Sequence, residues 1–254
     1  MPDRDQSVTV VIPARFGSSR FPGKPLTLLA GKPLIRQVYE HAEASLGVDQ
    51  VLVVTDDTRI CEAVEAFGGT AMMIDQPFRS GTDRVAAVAR QVSGRFFINL
   101  QGDEVVLHPQ LLTDLIGPFL QSGAELGTLR RRLASQADFL NPAVVKVVTD
   151  DVGRALYFSR APIPHRRREE GPSAMAADLS YIHLGIYMYT RHTLLRFSEL
   201  PTGKLEETEQ LEQLRALEYG IPIRVWDTSY PSLRIDTPED VKEAAAVLKQ
   251  VEAQ

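Results

Sequence analysis

The chain has 254 residues, 44% hydrophobic and 24% charged, and that ordinary globular mix excludes both a disordered chain and a disulfide-stapled mini-protein. Its net charge of -5 disfavours a nucleic-acid partner, because a phosphate backbone calls for a basic surface. One cysteine, Cys61, suits a reducing compartment. The longest apolar runs, such as Val51 to Val54, fall far short of the roughly 20 residues that span a bilayer. The polar stretch Met1 to Gln6 lacks the apolar core of a signal peptide. The expectation is a soluble, cytoplasmic α/β protein with no membrane partner.

Val8 to Ile12 is a continuous β-branched run, as expected of a strand buried on both faces. A Gly-, Pro- and Ser-rich loop follows, Pro13 to Pro25. Pro33 to Leu46 reads as a helix with Pro at its start, and Gln50 to Thr55 as a second buried strand. Asp56 and Asp57 precede a helix over Thr58 to Phe67, which Gly68-Gly69 stops; Cys61 sits in it as an expected buried small residue. Thr70 to Ile74 is a third strand. Arg79 to Thr82 open a helix running to Val92, and Arg95 to Leu100 is a fourth strand ending in Gln101-Gly102-Asp103-Glu104. His108 to Gln121 is helical. This alternation implies a largely parallel sheet with right-handed crossovers, whose ligands sit at the carboxyl ends of the strands. The loops after Ile12 and Leu100 are therefore the places for chemistry.

The second half changes character. Val144 to Val148, Ala155 to Phe158 and His183 to Tyr189 read as strands, with a polar loop from Pro164 to Asp178 between the last two. Glu206 to Tyr219 reads as one long helix ended by Gly220, and Ile223 to Trp226 as a strand. Thr237 starts the last helix, with Pro238 at its first position. The runs Arg130-Arg131-Arg132 and Arg166-Arg167-Arg168 read as solvated surface.

The most informative segment is Pro13-Ala14-Arg15-Phe16-Gly17-Ser18-Ser19-Arg20-Phe21-Pro22-Gly23-Lys24-Pro25-Leu26. Gly17 and Gly23 let the backbone turn and approach a ligand, Ser18 and Ser19 bring hydroxyls, and Arg15, Arg20 and Lys24 bring positive charge. A backbone cradle with fixed cations is what a triphosphate needs. It is not a P-loop, because the Gly-Lys-Ser/Thr ending is missing. Read without further context, Asp103 is a turn residue after Gly102, Ser80 a helix cap, and Glu212-Gln213 a solvated helix face.

Seven further motifs accompany this loop in collinear order: Val53-Val54-Thr55-Asp56-Asp57, Ser80-Gly81-Thr82-Asp83-Arg84, Asn99-Leu100-Gln101-Gly102-Asp103-Glu104, Ala155-Leu156-Tyr157-Phe158-Ser159-Arg160, His183-Leu184-Gly185-Ile186-Tyr187, Leu211-Glu212-Gln213-Leu214-Arg215 and Ile235-Asp236-Thr237-Pro238-Glu239-Asp240. From about Val8 to Val247 the chain resembles the sugar-activating nucleotidyltransferases, and within them the 3-deoxy-manno-octulosonate (Kdo) cytidylyltransferases. The resemblance implies an α/β nucleotidyltransferase fold of three layers with a mostly parallel central sheet. It implies a nucleotide-binding half over about 8–125, a β-rich part that covers the sugar and forms a dimer over about 126–230, and a C-terminal helix returning to the nucleotide half.

The resemblance also implies transfer of CMP from CTP to a Kdo-like sugar acid with loss of pyrophosphate, for lipopolysaccharide synthesis. Lys24, Arg15, Arg20 and Asp103 would be catalytic, with Lys24 on the α-phosphate and the two arginines on the β- and γ-phosphates. Ala14, Arg15, Gly17, Ser18, Ser19, Arg20, Lys24, Ser80, Gly81, Thr82 and Gln101 would contact the nucleotide. Gln101, Arg160, His183, Tyr187, Glu212 and Gln213 would hold the sugar acid. Asp103 and Asp236 would ligate Mg²⁺. A homodimer is expected. Two departures stand out: Val105 where many members have Pro, and Leu233-Arg234 where small residues are usual. The rival readings are another acidic sugar, such as 8-amino-Kdo, and an inactive nucleotide-binding regulatory homologue. The Ser19-Arg20 pair disfavours a sialic-type acid, and the lack of G-x-G-x-x-G disfavours a nicotinamide-binding fold.

Overall fold

The structure, a computed structural model, describes residues 6–17, 21–106, 108–165 and 180–252. Strand β1 spans Val8–Ala14, and all seven residues are buried, as the β-branched run requires. A 3-10 turn, Lys24–Leu26, leads to β2 (Leu28–Leu29) and β3 (Lys32–Pro33). Ala30 at φ 49° and Gly31 at φ 85° join these two in a tight hairpin. Helix α1 (Leu34–Glu43) buries Leu34, Ile35, Val38 and Ala42 on one face. Then come β4 (Gln50–Thr55), α2 (Thr58–Ala66), β5 (Ala71–Met73), α3 (Gly81–Ala89) and β6 (Phe96–Asn99). Asp57 caps α2 by accepting from Arg59 N, and Ser80 caps α3 by accepting from Asp83 N. The short strand β7 (Glu104–Val106) precedes α4 (Gln110–Ser122).

The remaining elements are β8 (Leu126–Arg132), α5 (Gln136–Leu140), β9 (Lys146–Thr149), β10 (Ala155–Ser159), β11 (Tyr181–Thr190), α6 (Arg191–Glu199), α7 (Lys204–Glu209), α8 (Gln213–Glu218), β12 (Arg224–Asp227), β13 (Ser232–Arg234) and α9 (Pro238–Glu252). The chain divides into two compact units. Of the described residues, the first holds those within 1–113, 189–198 and 230–254, and the second those within 114–188 and 199–229.

In the first unit β1 pairs in parallel with β4 and β6, and β4 with β5, giving the order β6-β1-β4-β5. The fold is α/β with a mostly parallel sheet, as the strand–helix alternation implies. β7 and β13 form a separate antiparallel pair, with Val105 opposite Leu233 and Glu104 opposite Arg234. The two departures from the resembled family therefore face each other in one ladder. The buried Val105 fills its place with an apolar side chain. In the second unit β10 pairs antiparallel with β9, β9 with β11, and β8 lies beside β11 and parallel to β12.

Three expectations need correction. Glu206 to Tyr219 is not one helix: Gln210 adopts φ 53° and breaks it into α7 and α8. The break turns α8 so that Leu211, Leu214 and Ala216 reach the core, and so that the buried Arg215 folds back to bond Glu206. That burial outweighs the helix propensity of the Glu- and Leu-rich stretch. Arg130 to Arg132 is not plain solvated surface, because it ends β8. Arg130 donates to Asp227 Oδ1 at 2.7 Å and lies 3.7 Å from the centre of the Tyr181 ring. Cys61 is half-buried rather than fully buried, since Ile60 and Val64 hold the inward positions of α2. The Arg166-Arg167-Arg168 run, and most of the expected loop around it, lies outside the described residues.

Candidate active site

The carboxyl ends of β1 and β6, the start of α3 and the loop after Gly23 converge on one pocket. Its walls include Ala14, Arg15, Lys24, Ser80, Gly81, Gln101 and Asp103, together with Phe78 and Arg84. Parallel strands place their carboxyl ends on the same edge, so chemistry from distant parts of the chain meets there.

The signature loop is closed at its base. Gly23 N donates to Phe16 O at 2.9 Å, and Gly23 takes φ 74°, a conformation that side chains resist. The Phe16 ring lies against Gly23 and carries the Arg59 guanidinium 3.4 Å from its centre. Between these ends, Ser18, Ser19 and Arg20 fall outside the described residues. Gly17 and Arg15 are exposed at the start of the loop.

Lys24 is the centre of the site. Its side chain is only 10% exposed, and its ammonium donates to Asp103 Oδ2 at 2.7 Å and to Ile235 O at 2.7 Å. Asp236 Oδ1 lies 3.9 Å away. The residue expected on the phosphate and the two expected on the metal are thus one cluster. Asp236 is not the cap of α9. Thr237 Oγ1 accepts from Asp240 N, while the Asp240 carboxylate accepts from Asp236 N at 2.7 Å and Thr237 N at 2.8 Å. The Asp236 carboxylate instead faces Lys24 and Arg234, whose Nε is 3.5 Å away.

Two further residues of the first unit carry no role that the sequence alone suggests. Burial pushes the Glu104 carboxyl up to about 7, helped by the negative charge of Asp103 and opposed by its hydrogen bond from Ser232. Arg84, almost wholly buried, pairs with Asp56 at 2.8 Å and ties the Thr55-Asp56-Asp57 turn to α3. Both stand inside motifs quoted above, but a motif does not say which member bonds which.

Two aspartates bracketing one ammonium offer hard carboxylate oxygens of the kind a divalent ion takes, with phosphate oxygens and water completing its shell. Among the described residues no group of three or more His, Cys, Asp or Glu could hold a metal alone. The donor set therefore fits an ion that arrives with a nucleotide rather than one caged by protein.

In the second unit the residues expected on the sugar acid are mostly buried. His183 and Tyr187 share a strand face, with ring centres 5.3 Å apart, and Phe158 packs edge-on to His183 at 4.8 Å. Burial lowers the His183 pKa to about 3, so its imidazole is neutral at pH 7. It meets Thr128 Oγ1 at 3.0 Å. Arg160 donates through its guanidinium to the carbonyls of Glu209, Gln210 and Pro142, and its amide donates to Glu209 Oε2 at 2.9 Å. Glu212 opens α8 and lies 3.7 Å from Arg215. The Gln213 Nε2 donor is buried without a partner.

Comparison with known proteins gives the family. The cytidylyltransferase family model matches residues 9–225. A 3-deoxy-manno-octulosonate cytidylyltransferase of Anaeromyxobacter dehalogenans (strain 2CP-C) is 51% identical over 244 residues, covering 95% of this chain and 97% of that protein. The chain belongs to the 3-deoxy-manno-octulosonate cytidylyltransferase family. It is a nucleotidyltransferase. A solved CMP:2-keto-3-deoxy-manno-octonic acid synthetase complexed with CTP is 40% identical, with a TM-score of 0.88 over 96% of this chain and 99% of that one. An inositol-1-phosphate CTP transferase from T. maritima shares the fold at a TM-score of 0.67, 13% identity, 97% of this chain and 96% of that one.

Proposed function

We propose that the chain transfers CMP from CTP to Kdo, releasing pyrophosphate, with Mg²⁺ as its ion. The product would enter lipopolysaccharide synthesis, and the setting would be the cytoplasm. The observation that carries the reading is Lys24 Nζ held at 2.7 Å by Asp103 and within 3.9 Å of Asp236, at the mouth of a pocket lined by the signature loop.

The chemistry is an in-line displacement: the anomeric hydroxyl of Kdo forms a bond to the α-phosphorus as the bond to pyrophosphate breaks. Negative charge then grows on the α-phosphoryl oxygens and the leaving group. Lys24 would meet the first, and Arg15 and Arg20 the second. Asp103 and Asp236 would hold the ion. Bound there with the triphosphate, Mg²⁺ would neutralise phosphoryl charge and order the phosphates. Ala14, Gly17, Ser18, Ser19, Ser80, Gly81, Thr82 and Gln101 would complete the nucleotide side.

The sugar acid is assigned to Gln101, Arg160, His183, Tyr187, Glu212 and Gln213. Arg160 has three of its roughly five N–H donors on carbonyls, so donors remain for a carboxylate. The orphaned Gln213 Nε2 calls for an acceptor, which a sugar hydroxyl supplies. A neutral His183 suits hydroxyls rather than anions. In this reading the part over about 8–125 with the C-terminal helix serves the nucleotide, the part over about 126–230 serves the sugar and dimerisation, and the working form is a homodimer.

Pyrophosphate release, measured with CTP, Mg²⁺ and a panel of sugar acids, tests the reading. Release should depend on Kdo, stop with EDTA and return with added Mg²⁺. Release with a different acid only, such as 8-amino-Kdo, would replace the substrate. No release with any acid, while CTP still binds, would make the chain a nucleotide-binding regulator.

A further inference from the structure

Behind Gln101 lies a chain of two hydrogen bonds that gives its amide a direction. Thr82, in the first turn of α3, and Asn99, the last residue of β6, are both almost wholly buried. Asn99 Nδ2 donates to Thr82 Oγ1 at 3.0 Å. The other end of the same amide, Asn99 Oδ1, accepts from Gln101 Nε2 at 2.7 Å. A carboxamide carries its donors on one end and its acceptor on the other. With one Nε2 N–H committed to Asn99, the amide is held the way round that offers Oε1 to a ligand in the pocket it lines.

Gly81 provides a second constraint. A Cβ there would lie 2.8 Å from Gln101 Nε2 and 2.9 Å from Oε1. The amide lies flat against the start of α3 only because that residue has no side chain. One face of Gln101 is therefore fixed by Gly81, and its rotation by Asn99.

We infer that Asn99 is a positioning residue: through the Thr82–Asn99–Gln101 relay it presents Gln101 Oε1 to the substrate as a hydrogen-bond acceptor. The group that Oε1 takes is then a donor, a hydroxyl or an amine, and not an oxygen of phosphate or carboxylate. The inference rests on the proposed reading, in which Gln101 touches substrate. Asn99 itself makes no such contact. Its bond to Thr82 joins helix α3 to strand β6, so the amide is aimed by two rigid elements rather than by a loop.

The test compares N99D, N99L, Q101L and the double variant N99L/Q101L, with kcat and KM for each substrate and thermal melts for folding. An aspartate at position 99 accepts from Gln101 Nε2 with its Oδ1 as the asparagine does, so N99D keeps that bond whether its second oxygen is ionised or protonated. It should retain kcat/KM within about threefold of wild type. N99L should lose about tenfold, the scale of one misplaced hydrogen bond, and match Q101L. The double variant should be no worse than Q101L alone. If N99L fails to fold, N99D against Q101L decides. N99D as impaired as Q101L would mean that the relay runs in the opposite sense, with Nε2 facing the pocket, and would overturn the inference. So would losses in N99L and Q101L that multiply. Wild-type kinetics in Q101L would remove Gln101 from the site and the inference with it. Failure of the proposed function is separate, because the wild-type chain would then release no pyrophosphate.

Discussion

The two units bury their cations in opposite ways. In the first, Lys24 holds two carboxylates, Asp103 and Asp236, and one carbonyl at the edge of an open pocket. In the second, Lys146 is wholly buried, and its ammonium donates to the carbonyls of Asn141, Val144 and Arg160 at 2.9, 2.6 and 2.6 Å. Arg160 likewise spends three guanidinium donors on carbonyls. A carboxylate can exchange an ammonium for a metal ion, and an ammonium can exchange a carboxylate for phosphate. A buried carbonyl has no such substitute. The first arrangement therefore suits a charge that must move between partners during a reaction. The second suits a scaffold that must not move, and it carries Arg160 on its frame.

Removing each lysine sharpens this contrast. K24A should lower kcat by about 10²–10³-fold, the scale of losing a charge aimed at the transition state, and should cost only about 1–3 kcal/mol in urea unfolding, since one buried carbonyl, that of Ile235, loses its donor. K146M should do the reverse. It strips a donor from three carbonyls in a buried place and should cost several kcal/mol in urea unfolding, at about 1–3 kcal/mol for each orphaned group. CTP affinity in K146M should stay at the wild-type value. Equal loss of stability in the two variants would break the comparison.

A smaller effect comes from His183. Its folded pKa of about 3 lies below the ordinary value of 6.5, because burial disfavours the imidazolium. The unfolded chain binds that proton first, so the contribution is complete above pH 6.5 and is lost as the pH falls toward 3. Between pH 7 and 5 the loss should be about 2 kcal/mol, since each unit is worth about 1.4 kcal/mol. The slope of unfolding free energy against pH should flatten by that amount in H183Q. An unchanged slope would mean that His183 is charged in the folded chain.

The same contrast explains what was legible in the sequence. In the first unit the candidate site sits on strand ends and short loops, so a buried β-branched run followed by Gly23 and Lys24 already marks the place. The pairing of Lys24 with Asp103 and Ile235 spans 79 and 211 residues, and no local pattern reports that distance. Asn99 and Gln101 are two residues apart on one face of β6 and its extension, a spacing that could have been read as a pair. In the second unit tertiary packing overrides local preference. Gln210 breaks a sequence that favours one helix, because Arg215 and Leu211 must turn inward. Arg130 reads as part of a basic surface run until Asp227 and the Tyr181 ring are brought beside it. The hairpin turn Ala30-Gly31 was hidden for another reason: its strands are too short to show an alternating pattern.

In the proposed function the nucleotide is held by the first unit, and the sugar-acid residues of the second take no part in that step. Titration of CTP in the presence of Mg²⁺, without any sugar acid, tests it most directly. R15A should bind CTP about tenfold more weakly than wild type, and R160A and Q213A should bind it with wild-type affinity. A loss of CTP affinity in R160A or Q213A as large as that in R15A would contradict the account.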